Sequence, residues 1–341
     1  ATAAAEQRLN DGDAEGAATL ATSALRVSPI SAISLRVLGL SQQKLGNWQA
    51  GNALMGQAAA LGWRDLQTQL WLAAASLQTK DYDGAANRID GAMRVNPDAP
   101  ELHQLLDKML IDEKLRHALV TRLQLQPAWR LSYFSDDTVA APDDALARAA
   151  LLSDLVGTPN PPQQGELGTV LRLMTDAGHA DQARALWMTA NHAGPAPLYD
   201  GRFQHTDRDH PAIFQWALMS IPGTQVEAVP HGKQPGLVLH VTTDASSAGI
   251  LARQWLVLKP GAYHLSVTSD GSPAALQSFQ WMIRCVPQSV TPLTLTGSGK
   301  RDTVGFDIPE KGCDRQSLEL HAQPRAASAN SEAWFSDMTL G

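Results

Sequence analysis

The sequence predicts two parts of different class: an all-α solenoid of paired helices, followed by an all-β sandwich. Three observations carry this. Residues Asp11 to Pro97 repeat every 34 positions. A stretch rich in proline, glycine and aspartate occupies residues 194–211. Beyond it helical spacing gives way to alternation, and five of the six phenylalanines lie after residue 193. A fixed period of this length, with small residues recurring inside helical segments, marks stacked helix pairs. The expected division is 1–193 solenoid, 194–211 linker and 212–341 sandwich.

The repeat reads in register. Gly12 aligns with Gly46 and Lys80, and Pro29 with Trp63 and Pro97. Ala17, Gly51 and Ala85 share another register, all small, as do Ala24, Ala58 and Ala92. Within the first unit Ala17, Leu20, Ala21, Ala24 and Leu25 fall at the spacing of one helix face. Pro29 ends that helix. The second unit turns at Leu45-Gly46-Asn47-Trp48, and the third at Lys80-Asp81-Tyr82-Asp83.

These residues resemble the tetratricopeptide repeat family. The match lies in the small residue of the first helix of each pair (Ala5, Gly39, Ala73), the turn glycines Gly12 and Gly46, the alanines of the second helix, and the closing Pro29 and Pro97. Lys80 and Trp63 depart from it. The resemblance implies a concave face offered to peptides or partner proteins. Trp48, Trp63, Trp71 and Tyr82 are candidates to line such a groove, with helix packing as the other reading.

Residues 98–193 remain helical but lose the period. Leu102, Leu105, Leu106, Met109 and Leu110 form one amphipathic stretch, and Ala145, Ala149, Leu152 and Leu155 another. Asp143 and Asp144 after Pro142 suit a first turn, where the helix dipole favours negative charge. Residues 157–165 break the helices. Ala177-Gly178-His179 reads as the turn of one more hairpin.

The strands follow. Leu237, Leu239 and Val241 alternate with Val238, His240 and Thr242; Tyr263, Leu265 and Val267 with His264, Ser266 and Thr268. Phe279, Trp281, Ile283 and Cys285 share one face, and Val304, Phe306 and Ile308 another. Turn signals stand between them at Lys259-Pro260-Gly261, Asp270 to Pro273, Gly297-Ser298-Gly299 and Glu310-Lys311-Gly312. About eight to ten strands in some 140 residues suit a jelly roll.

The stretch Gln254 to Val267 resembles the strand-turn-strand of jelly-roll carbohydrate-binding modules. Gly201-Arg202-Phe203-Gln204 stands where such modules carry a G-x-F-E segment, and Trp334 to Leu340 where they close. In that family the glutamate and a terminal aspartate help hold a structural calcium. Here Gln204 replaces the acid and removes a charge that Ca²⁺ ligation uses. No metal is therefore expected, and Gln204 and Asp337 are expected to hydrogen-bond. The resemblance implies a sugar site built from aromatic rings and planar polar side chains. The candidates are Trp255, Trp281 and Trp334, with Tyr263, and Arg253, Gln254 and Arg284 as polar partners. Core packing is the other reading, and the favoured one for Tyr263 and for Trp281, which aligns with Phe279 and Ile283.

The chain has 341 residues, 44% apolar and 18% charged, with a net charge of −7. Such a chain lacks the basic stripe that nucleic-acid backbones require. No run is apolar for the ~18 residues a bilayer span needs, so membrane association is expected only through partners or a removed N-terminal segment. Cys285 and Cys313 are the only cysteines, with 27 residues between them. They read as a disulfide, hence a periplasmic or exported location, or as two buried thiols. His205, Asp207, Asp209 and His210 read as a polar loop rather than a zinc site. Asp136-Asp137 and Asp143-Asp144 read as helix caps rather than paired catalytic acids. No cofactor is expected. The functional expectation is a non-enzymatic adaptor of bacterial polysaccharide synthesis or export, its helices binding envelope proteins and its sandwich binding glycan. The alternatives are a pure protein-interaction scaffold and a polysaccharide-modifying enzyme.

Overall fold

The computed structural model describes all residues except 139–140, 207–210, 233–235, 245, 288, 294–299 and 325–329. Asp207, Asp209, His210 and the Gly297-Ser298-Gly299 turn therefore lie outside the described residues. The chain forms an all-α helical solenoid followed by an all-β jelly-roll sandwich. Its compact units are Ala1–Asp136 and Asp137–Gly341.

The first unit opens with three helix pairs: α1 (Thr2–Asn10) with α2 (Ala14–Val27), α3 (Ala32–Lys44) with α4 (Trp48–Leu61), and α5 (Leu66–Gln78) with α6 (Tyr82–Val95). Each pair turns in the same way. The N–H groups of Asp13, Asn47 and Asp81 reach back to the carbonyls of Arg8, Gln42 and Ser76, closing the first helix with a left-handed residue. That residue is Gly12 (φ 88°), Gly46 (φ 86°) and Lys80 (φ 61°). The third turn thus keeps the repeat's backbone without its glycine. Asp13 and Asp81 then cap the second helices by accepting the N–H of Gly16 and Gly84.

Small residues set how close the helices come. Ala5 and Ala73 are buried in α1 and α5, and Ala17 and Ala85 in α2 and α6. Between α3 and α4 the backbones nearly touch: a Cβ on Gly51 would stand 2.8 Å from the carbonyl oxygen of Gly39. After these pairs come α7 (Pro100–Met109), α8 (Glu113–Leu123) and α9 (Trp129–Ser135). Here large buried side chains take over, locked by hydrogen bonds. Trp129 Nε1 donates to Asp90 (2.7 Å) and Tyr133 Oη to Asp107 (2.6 Å). Asp136, at the end of α9, receives His103 Nδ1 at 2.6 Å.

The second unit begins with α10 (Pro142–Leu155), α11 (Gln164–Asp176) and α12 (Ala180–Ala190). Asp144 accepts the N–H of Ala141, and Gly178 (φ 88°) makes the α11–α12 turn. The change of secondary structure near residue 194 and the division into compact units at 136/137 therefore mark different things. Within the segment expected as linker, Leu198 and Phe203 are buried in the sandwich core.

The sandwich has two five-stranded antiparallel sheets. Its elements in chain order are β1 (Ala217–Leu218), β2 (Thr224–Pro230), β3 (Leu237–Thr243), β4 (Gly249–Leu256), β5 (Gly261–Asp270), the short α13 (Pro273–Leu276), β6 (Phe279–Pro287), β7 (Ser289–Leu293), β8 (Lys300–Ile308), β9 (Cys313–Ala322) and β10 (Ser331–Leu340). The first sheet runs β1-β4-β9-β6-β7 and the second β2-β3-β10-β5-β8. The Gln254 to Val267 stretch is thus no hairpin: β4 lies in one sheet and β5 in the other. Trp216, Trp281, Phe203 and Phe335 fill the core between the sheets. A disulfide joins Cys285 of β6 to Cys313 at the start of β9.

Candidate functional site on the outer face of the first sheet

Alternation along β9 sends Leu318, Leu320 and Ala322 into the core, and Ser317, Glu319 and His321 to the opposite, outer face. Register then places the neighbours. On β4, Arg253 stands beside Glu319 and Trp255 beside Ser317. On β6, Arg284 stands beside Ser317, Met282 beside Glu319 and Gln280 beside His321.

Glu319 is the hub. Arg284 Nε donates to both carboxylate oxygens at 3.2 Å, Ser317 Oγ to Oε1 at 2.8 Å and His321 Nε2 to Oε2 at 2.7 Å. Its side chain is 1% exposed. Burial pushes its carboxyl pKa up. The hydrogen bonds from His321 and Ser317 and the charge of Arg284 outweigh that and hold it at about 2. The outer row is therefore hydrogen-bonded to itself, with the Glu319 charge paired to Arg284. Gln323 Nε2 extends the planar polar groups by donating to Gln280 (3.2 Å).

At the β4 side of this row, the guanidinium carbons of Arg253 and Arg315 lie 5.4 and 4.9 Å from the centroid of Trp255. Arg315 also donates to Asp176 at the end of α11, at 2.6 Å.

The other expected sugar contacts lie elsewhere. Gln254, between Arg253 and Trp255, points inward and is fully buried. It is a clamp on the chain before the strands, donating to the carbonyl of Tyr199 and accepting its N–H, both at 2.9 Å. Trp281 is 1% exposed and packs edge-on against Trp216 and Phe335. Tyr263 stacks on Phe306 and donates to the carbonyl of Lys259. Trp334 is on the second sheet, stacked with His231 and His240. There His240 pairs with Glu227 and Glu332, and His231 with Asp270.

The place where the module family would hold calcium does not fit a metal here. Arg202 Nε donates to the Asp337 carboxylate (3.0 Å), and Arg301 Nη1 to the Asp337 carbonyl (2.7 Å). Gln204 Nε2 donates to the Arg202 carbonyl. Gln204 and Asp337 do hydrogen-bond, each to Arg202. Two guanidiniums, those of Arg202 and Arg301, thus already occupy oxygens of Asp337. Among the described residues no group of three or more His, Cys, Asp or Glu side chains could hold a metal ion.

In the first unit the four candidate aromatics have separate surroundings. Trp71 Nε1 donates to Gln43 (3.3 Å), Lys114 lies over Tyr82, and Trp48 is 63% exposed. Trp63, at the register of the missing proline, is 54% exposed with Arg88 over its ring at 4.5 Å. With Arg64, Gly91, Arg94 and Val95 it borders a cavity of about 450 Å³. No helix among the described residues is long and apolar enough to cross a membrane.

No family model matches this chain. No curated protein matches it either. Solved structures with similar folds do exist. PilF of Pseudomonas aeruginosa is 17% identical, covers 56% of this chain and 89% of its own, and superposes with a TM-score of 0.32. MamA is 13% identical over 55% of this chain and 92% of its own, with a TM-score of 0.27. TmCBM61, solved in complex with beta-1,4-galactotriose, is 12% identical over 43% of this chain and 99% of its own, with a TM-score of 0.30.

Proposed function

We propose that this chain is a non-enzymatic adaptor whose sandwich binds glycan on the outer face of the first sheet and whose helical repeats bind a protein partner. One observation carries the glycan half. Three residues of the types that sugar sites use, Trp255, Arg253 and Arg284, meet on one face around the fixed Ser317-Glu319-His321 row. Planar polar groups held rigidly on a sheet suit the many hydroxyls of a polysaccharide. On the second sheet the polar groups around Trp334 already hydrogen-bond one another. The protein-binding half rests on large apolar side chains left open in the first unit, among them Val27 (88% exposed), Ile30 (77%) and Trp48. A place in bacterial polysaccharide synthesis or export, in the periplasm or outside the cell, is the setting we propose. The Cys285–Cys313 disulfide supports an oxidising compartment.

The test is affinity electrophoresis of the full chain through gels containing neutral and acidic polysaccharides. Retardation by at least one polymer is the expected outcome. Unchanged mobility with every polymer would remove the glycan half and leave the protein-interaction scaffold.

A further inference from the structure

We infer that the glycan this face selects carries carboxylates, as in a uronic-acid polymer, and that Arg253 is the residue that recognises them. The inference rests on the glycan-binding reading above and adds the ligand's chemical class.

The indole of Trp255 is not a free shelf for a sugar ring. Two guanidiniums, those of Arg253 and Arg315, lie over it at 5.4 and 4.9 Å. The ring instead holds the guanidiniums in place. Arg315 is further committed to Asp176, and Arg284 to Glu319. The guanidinium of Arg253 has neither a hydrogen bond nor an ion pair among the described residues. A cation stacked on an aromatic ring with its donors unspent is organised in advance for an anion, and loses little freedom on binding one.

The surroundings favour that anion. Glu319, the acid facing Arg253 across the strand pair, is already ion-paired with Arg284 and accepts hydrogen bonds from His321 and Ser317. It leaves no bare negative charge to repel a ligand. The planar fork of a guanidinium matches a carboxylate in two parallel hydrogen bonds. Arg253 and Arg284 stand on strands that flank β9 on either side. Two strand spacings across the sheet and a two-residue offset along it put their backbones about 12 Å apart. A polymer laid across β4, β9 and β6 would meet both.

The experiment compares polygalacturonate, the same polymer after reduction of its carboxyls to alcohols, and dextran sulfate, at equal ionic strength. Full-length chain and its Arg253→Gln and Arg253→Lys variants are measured by affinity electrophoresis, with thermal unfolding as a check on folding. The wild type should bind polygalacturonate about tenfold or more tighter than the reduced polymer, the effect of one charged hydrogen-bonded contact. Arg253→Gln should erase that difference, bringing polygalacturonate binding down to the level of the reduced polymer, and Arg253→Lys should restore only part of it. Equal binding of both polymers, unaffected by Arg253→Gln, would overturn the inference and leave the glycan reading standing. Equally tight binding of dextran sulfate would also overturn it, showing attraction to any polyanion. Binding to none of the three would count against the glycan reading itself, and this inference would fall with it.

Discussion

The helix pairs and the sandwich solve the same problem, burying apolar surface, with opposite materials. From α1 to α6 alanine and glycine set the closest approaches, down to Gly51 against the carbonyl of Gly39, with Met55, Ile89 and Met93 packed beside them. In the sandwich, two tryptophans and four phenylalanines are buried in a slab closed by a disulfide. A stack spaced by small residues leaves some of its large side chains outside, at Val27, Ile30, Trp48 and Trp63. A slab built on large ones fixes its strands firmly enough to hold an ordered outer face. That contrast explains why the open apolar groups belong to the helices and the organised polar site to a sheet.

The contrast can be broken first at the disulfide. Replacing Cys285 and Cys313 by alanine frees a loop with a separation of 28 residues. The loss should be about 3.5 kcal/mol on the chain-entropy account, read as a lower denaturant midpoint of the sandwich transition. The same transition should shift on adding reductant, which identifies it.

Next comes acid. The folded pKa of Glu319, about 2, lies below its ordinary value of 4.5. Its contribution is therefore complete above pH 4.5 and is lost as the pH falls towards 2. Up to about 3 kcal/mol is at stake, and a Glu319→Gln variant should flatten that part of the stability–pH curve.

On the helical side, Gly51→Val would drive a branched side chain into the carbonyl of Gly39 and the side chain of Gln43. It should cost about 2 kcal/mol in the solenoid transition and leave the reductant-sensitive one in place. The smallest effect should be a gain. Lys80 holds φ 61°, where its Cβ is strained, so Lys80→Gly should stabilise the solenoid by about 0.5–1 kcal/mol, seen as a higher midpoint.

The helices were legible because their signal is local. Gly12 and Gly46, 34 residues apart, make the same turn because only the chain around them decides it. At Lys80 the surrounding repeat imposes the turn without the glycine, and the register still told where it would fall. The sheet site was legible only in part. Arg253, Gln254 and Trp255 are consecutive, and consecutive strand residues cannot share a face. Parity alone removes Gln254 from a site that holds its two neighbours. Ser317, Glu319 and His321 carried a usable signal, their alternation with Leu318 and Leu320. What joins them to Arg253 and Arg284 is strand order, and β4, β6 and β9 are distant in sequence. No periodicity encodes that pairing. The same holds for Trp334, whose strand belongs to the other sheet.

The most direct test of the proposed glycan face is hydrogen–deuterium exchange of the full chain with and without a polymer found to retard it. Slowed exchange in Gly249–Leu256 and Cys313–Ala322, with Thr224–Pro230 and Leu237–Thr243 unchanged, is the predicted result. Slowing confined to the strands around Trp334, or to the helices before residue 96, would contradict it.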